Sequence, residues 1–139
     1  MAISKSEILM GREVQYPLNP EQQKNLDILL VKMNKVRDAY GKPMSVSSGY
    51  RPAAINAGVS GAAKNSSHTL CMACDIKDPD GSVRKWVLAN LQLMKDLGLW
   101  IEDFRWTPTW VHFQIRPASR RIFMAYDPAK QPMTAPNVS

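Results

Sequence analysis

Apolar residues recur along this chain with two distinct periods. Leu26, Leu29, Leu30, Met33, Val36 and Tyr40 fall three and four places apart, which lines one face of a helix. Asn19 caps that helix ahead of Pro20, whose missing N–H costs nothing at a first helical position, and Gly41 is a natural stop. A shorter helix opens at Ser4, where Glu7 three places on completes a capping box, and Gly11 ends it. Ser82 caps a third, whose Val83, Trp86, Val87, Asn90, Met94 and Leu97 line one side before Gly98 stops it. Ala53 to Gly58 leaves room for one or two further helical turns.

Elsewhere the pattern suits strands: Met44 to Ser48, Met72 to Ile76, Leu99 to Arg105 and Trp110 to Ile115, with Ile122 to Ala125 a last short one. Thr107-Pro108 joins the third and fourth, and Asp78-Pro79-Asp80-Gly81 closes the second. Tyr16-Pro17-Leu18 is an extended link. Gly58 to Ser67, rich in Gly, Ala, Ser and Asn, is a loop. Helices first and hairpin-connected strands afterwards predict an α+β fold, a small antiparallel sheet with helices packed on one face. One domain spans residues 1–126. Pro128, Pro132 and Pro136 make residues 127–139 a mobile tail. No internal repeat is visible.

A chain of 139 residues holds one core, and an apolar share of 45% is enough to build it. No stretch approaches the roughly 20 apolar residues of a membrane span. Met1 to Lys5 lacks the basic-then-apolar profile of a secretory leader, so the chain is expected to start in a cytoplasm. The net charge of +6 favours an anionic partner. Its basic residues are scattered, Arg116, Arg120 and Arg121 apart, which argues against a dedicated nucleic-acid site. With Cys71 and Cys74 alone, no disulfide scaffold is possible.

The chain has two histidines, and each sits in a strand or its lead-in. His68 and Asp75 share one segment and His112 lies in Trp-Val-His-Phe-Gln. Two imidazoles and a carboxylate are a three-ligand set for Zn²⁺ that leaves a fourth position for water, the catalytic arrangement. Alternation puts Asp75 with Ala73 on one face and Cys74 with Met72 on the other. Likewise His112 shares its face with Trp110 and Gln114, while Val111, Phe113 and Ile115 are apolar. Two readings compete. Cys71-x-x-Cys74 beside His68 has the look of a structural zinc or redox site, though a buried, inert Cys74 fits the alternation better. Unrelated surface histidines are the other.

Ser66-x-His68-x-x-Cys71-x-Ala73-x-Asp75 resembles the Ser-x-His-x-x-Gly-x-Ala-x-Asp signature of the D-alanyl-D-alanine carboxypeptidases and L,D-endopeptidases of peptidase family M15. Trp110-Val111-His112 is similar to its Trp-x-His, and Ser48-Gly49-Tyr50-Arg51-Pro52 to its Ser-Gly-Tyr-Arg. Phage-encoded members also have stretches like Glu7 to Arg12 and Glu-Asp-x-Arg-Trp-Thr. The resemblance implies a D-Ala-D-Ala carboxypeptidase/Hedgehog-like fold with a zinc site in a cleft on the sheet. It makes His68, Asp75 and His112 the ligands. Cys71 replaces a usual glycine, and Thr109 stands where many members place an acid.

The general base must then be Glu102 or Asp103, on the strand paired with that of His112. An odd connection favours Glu102 and an even one Asp103; the resemblance tips the choice to Glu102. Arg51 would steady an oxyanion, or else make a surface ion pair. Ser66 either binds substrate or caps the His68 turn, and Tyr50 lines the cleft. The implied substrate is a peptidoglycan stem peptide, cut by a monomeric enzyme. A phage lysin held in the host cytoplasm until released through a holin pore fits best, with a virion-associated wall hydrolase next. Two alternatives remain: a non-catalytic zinc or wall-binding phage module, and a cytoplasmic D-Ala-D-Ala dipeptidase.

Overall fold

A computed structural model describes residues 2–58 and 66–117, with the backbone of 123 and 124. Helix α1 (Lys5–Leu9) starts on the expected capping box, in which Ser4 Oγ accepts the Glu7 N–H and Glu7 accepts the Ser4 N–H. It stops a residue early, because Met10 already takes the left-handed conformation ahead of Gly11. Helix α2 (Pro20–Tyr40) runs from an Asn19–Gln22 capping box to Gly41, as the pattern predicts. Leu26, Leu29, Met33 and Val36 are its buried stripe. A single turn, α3 (Ala53–Asn56), follows much later.

The third long helix departs from expectation twice. Gly81, not Ser82, holds the cap position, and no side chain there bonds the helix end. Asp78 supplies the acceptors instead: its buried carboxylate takes the N–H groups of Val83 at 2.8 Å and Arg84 at 3.1 Å. The helix is also broken, α4 (Ser82–Ala89) giving way to α5 (Leu91–Leu97) at Asn90. The Asn90 amide donates to the Trp86 carbonyl, the acceptor a continuing helix would offer to its backbone N–H. That N–H turns to Val87.

Among the described residues five strands form one sheet in the order β1-β2-β4-β3-β5, antiparallel throughout. They are β1 (Val46–Ser48), β2 (Ala73–Lys77), β3 (Trp100–Glu102), β4 (Trp110–Gln114) and β5 (Phe123–Met124). β1 and β3 are shorter than their patterns suggested. At β3 the reason is Asp103, whose carboxylate accepts the Arg105 N–H and turns the chain out of the sheet. The loop residues 59–65, Arg120, Arg121 and the expected tail from 127 onward lie outside the described residues.

Register divides the sheet into two chemically opposite faces. Cys74 pairs with Phe113, Ile76 with Val111 and Ile101 with Phe113, and these side chains pack against Ile8, Leu26, Leu29, Met33, Val87 and Met94 of the helices. The alternate residues, Ala73, Asp75, Trp100, Glu102, Trp110, His112 and Gln114, belong to the other face. Burying the apolar face against the helices is what fixes this register, since a one-residue slip would exchange the two sets. Among the described residues no helix is long and apolar enough to cross a membrane.

Candidate metal centre

Asp75 and His112 are direct cross-strand partners on the polar face, with Nδ1 of the ring 2.8 Å from Oδ1. His68 comes from outside the sheet, on the turn that leads into β2. Ser66 Oγ accepts the His68 N–H at 3.1 Å, and the His68 carbonyl accepts the Arg51 N–H at 3.1 Å. Helix α2 holds the same turn from below: Gln22 Nε2 donates to the Thr69 carbonyl and Asn25 Nδ2 to that of Leu70. His68 Nε2 thereby stands 3.3 Å from Asp75 Oδ2. One donor atom from each of the three residues lies within 4.8 Å of the other two. The sequence-predicted trio does converge.

Hydrogen bonds decide which ring atoms face the centre. Gly49 offers only its carbonyl, 2.9 Å from His68 Nδ1, so that nitrogen carries the proton and Nε2 keeps its lone pair toward Asp75. In β1 a bulge between Val46 and Ser48 shifts the register beside Asp75 and delivers Gly49 to this position. A Cβ on Gly49 would overlap the Ile8 carbonyl, so glycine is required there on space alone.

All three residues are buried, and their charges are set against one another. Burial alone would raise the Asp75 carboxyl, but bonds to His112 and His68 and their charge hold it well below the usual carboxylate range. Burial would lower His112; Asp75, Glu102 and Gln114 outweigh it and favour the protonated ring. For His68 burial wins and keeps the ring neutral despite Asp75. Two imidazoles and a carboxylate with one shared proton are a donor set that suits a divalent cation of the zinc class. Cys71 and Cys74 do not join it. Both are buried in the core, which pushes the Cys71 thiol up to about 12 and Cys74 higher still. Cys71 also keeps the left-handed backbone (φ 59) that a glycine would adopt freely.

Around the trio the remaining candidates take different places. Trp100 pairs with Gln114 and Ile101 with Phe113, and the next step of that register sets Glu102 across from His112. Residues 103–109 are an odd-length connection. Burial raises the Glu102 carboxyl, His112 opposes that, and Asp75 adds to it. Asp103 is turned away, its carboxylate bound to the backbone and guanidinium of Arg105. Arg51 is half-buried and within electrostatic reach of Asp75, which offsets part of the burial cost of its charge. Its buried Nε has no hydrogen-bond partner among the described residues. Ser66 is half-buried and caps the His68 turn.

Tyr50 is a correction. Expected in the cleft, it is 3% exposed and packed in the core, its hydroxyl donating to the Tyr16 carbonyl. Its backbone N–H donates to the Ile8 carbonyl just beyond β1, which turns the ring into the core. Gln114, Gln22 and Asn25 were not singled out in the sequence. Only Gln114 carried a signal, its place two residues beyond His112 on the polar face; the others act across more than 40 residues of chain.

The family model for Peptidase M15 matches residues 5–112 of this chain. The match ends on the last histidine of the trio and takes in every candidate residue named above except Gln114. No curated protein and no solved structure matches the chain significantly.

Proposed function

Because the chain belongs to peptidase family M15, and is thereby a metallopeptidase, we propose that it hydrolyses peptidoglycan stem peptides with Zn²⁺ held by His68, Asp75 and His112. The observation that supports this most directly is the meeting of three donor atoms beside a raised carboxyl on one sheet face. Zn²⁺ bound there would supply Lewis acidity, acidifying water toward ~7 and polarising the scissile carbonyl.

The protein's own groups then have distinct tasks. Glu102, made more basic by burial, takes the proton of the attacking water and returns it to the leaving amine. The register that sets it across from His112 supports this role. Arg51 brings a positive charge and an unused N–H to the oxyanion that develops on the carbonyl, a contribution of about 3 kcal/mol to the barrier. Ser66 keeps the His68 turn in shape and leaves a half-exposed edge for substrate. Asp103 holds the β3–β4 connection rather than a proton.

A peptidoglycan substrate is favoured by the family and by the net charge of +6, which retains a protein on an anionic wall. The resemblance of Glu7 to Arg12 to phage-encoded members favours a lysin released through a holin pore, or a wall hydrolase carried in the virion. Digestion of purified cell walls, with and without chelator, tests the reading. New amino groups should appear with the metal, vanish with chelator and return on adding Zn²⁺. Cleavage of D-Ala-D-Ala but not of walls would favour a dipeptidase. Zinc binding without cleavage of either would favour the non-catalytic module.

A further inference from the structure

Gln114 lies on the same face of β4 as His112, 1% exposed, between Ala73 of β2 and Trp100 of β3. Its Oε1 is 2.8 Å from His112 Nε2, and its Nε2 is 2.8 Å from the Arg116 carbonyl oxygen. A backbone carbonyl can only accept. The amide NH₂ must therefore face Arg116, and the amide oxygen must face the histidine. An amide oxygen also only accepts, so His112 Nε2 must carry a hydrogen. With Nε2 committed as a donor, Nδ1, directed at Asp75, is the ring nitrogen that can give up its hydrogen and take a cation.

From this chain of donors and acceptors we infer that Gln114 is a positioning residue for the metal. By fixing the Nε2–H tautomer and the ring plane of His112, it presents Nδ1 to the cation. The two histidines are thus held in opposite senses: His68 is tied back through Nδ1 to Gly49 and offers Nε2, while His112 is tied back through Nε2 to Gln114 and offers Nδ1. Outer partners of this kind set ligand basicity and orientation, and their loss costs roughly 10–100-fold in metal affinity.

The inference rests on the zinc reading of the same trio, and the experiment separates the two. Zn²⁺ affinity is measured on the full chain by competition with a chromophoric chelator, for wild type, Gln114→Met and Gln114→Glu. Methionine keeps the length and removes the acceptor; glutamate keeps the acceptor. We expect Gln114→Met to bind roughly 10–100-fold more weakly and Gln114→Glu to stay within about threefold of wild type. Nitrogen NMR of the zinc-loaded wild type, with labelled histidine, should show a hydrogen on His112 Nε2 and a metal-shifted Nδ1. That measurement needs no variant to fold. Wild-type protein that binds no zinc would sink the zinc reading and this inference with it. Wild-type binding with an unweakened Gln114→Met, or with Nε2 as the ligated atom, would overturn the role of Gln114 alone.

Discussion

The carbonyl of Gly49 lies 2.9 Å from Nδ1 of His68, so a residue at the end of β1 orients a ligand candidate 19 positions away. The same glycine is pressed against the Ile8 backbone, where a Cβ cannot fit, and the Tyr50 N–H completes the contact by donating to the Ile8 carbonyl at 2.7 Å. Stability and the orientation of the His68 ring are therefore coupled at one position. Gly49→Ala should force β1 and α1 apart, cost about 2–3 kcal/mol in chemical denaturation, and weaken zinc binding by loosening His68. A variant with full stability and full zinc affinity would contradict this coupling.

Cys71 occupies a left-handed backbone position with its side chain wholly buried. Two opposing effects meet there: strain that a glycine would relieve, and packing that it would lose. Comparing Cys71→Ala with Cys71→Gly isolates the first, since both remove the sulfur. Cys71→Gly should be the more stable of the two by about 1 kcal/mol, the usual left-handed penalty less the extra entropy of an unfolded glycine. Equal stability, read by urea titration, would mean the strain has been relieved elsewhere in the turn.

Much of this fold could be read from the sequence because its signals are local. The Ser4–Glu7 and Asn19–Gln22 boxes act within one helical turn, and the Val111–Phe113 alternation follows from one strand having one buried face. The trio of His68, Asp75 and His112 was legible because ligand chemistry admits few residue types. What stayed hidden depends on distant partners. Nothing in Gln22 or Asn25 announces that they hold the His68 turn, and the break at Asn90 arises where a side chain competes with its own backbone for the Trp86 carbonyl. Tyr50 reads as a cleft residue until the Ile8 contact turns it into the core.

Asp78 is the clearest case of a residue whose weight comes from the fold. Its buried carboxylate caps α4 and pairs with Arg84 Nε at 3.0 Å, while Arg84 Nη2 donates to the carbonyls of Thr107 and Pro108. The Asp78 N–H also donates to the Thr109 carbonyl. One pair thus ties the start of α4 to the connection between β3 and β4. Asp78→Ala should cost about 2–3 kcal/mol by leaving several donors unmet, and Arg84→Ala somewhat less. Thermal melts of both singles and the double should show strong non-additivity; simple addition would mean the residues act independently.

Glu102 and Asp103 are adjacent in sequence and opposite in surroundings, which makes them a matched pair for testing the proposed chemistry. Glu102 continues the register toward His112 and has its carboxyl raised by burial, whereas Asp103 is occupied by Arg105. Glu102→Gln removes the proton acceptor with little change of shape. It should lower turnover on wall peptides roughly 100- to 10,000-fold while zinc affinity and melting temperature stay near wild type. Asp103→Asn should do the reverse, lowering the melting temperature through the weakened Arg105 contact and leaving turnover within a few-fold once folding is accounted for. If Asp103→Asn abolishes turnover in a fully folded, zinc-loaded protein and Glu102→Gln does not, the two roles are exchanged. In that case the chain from Asp103 to Thr109 must rearrange when substrate binds, because its present path points that carboxylate away from the histidines.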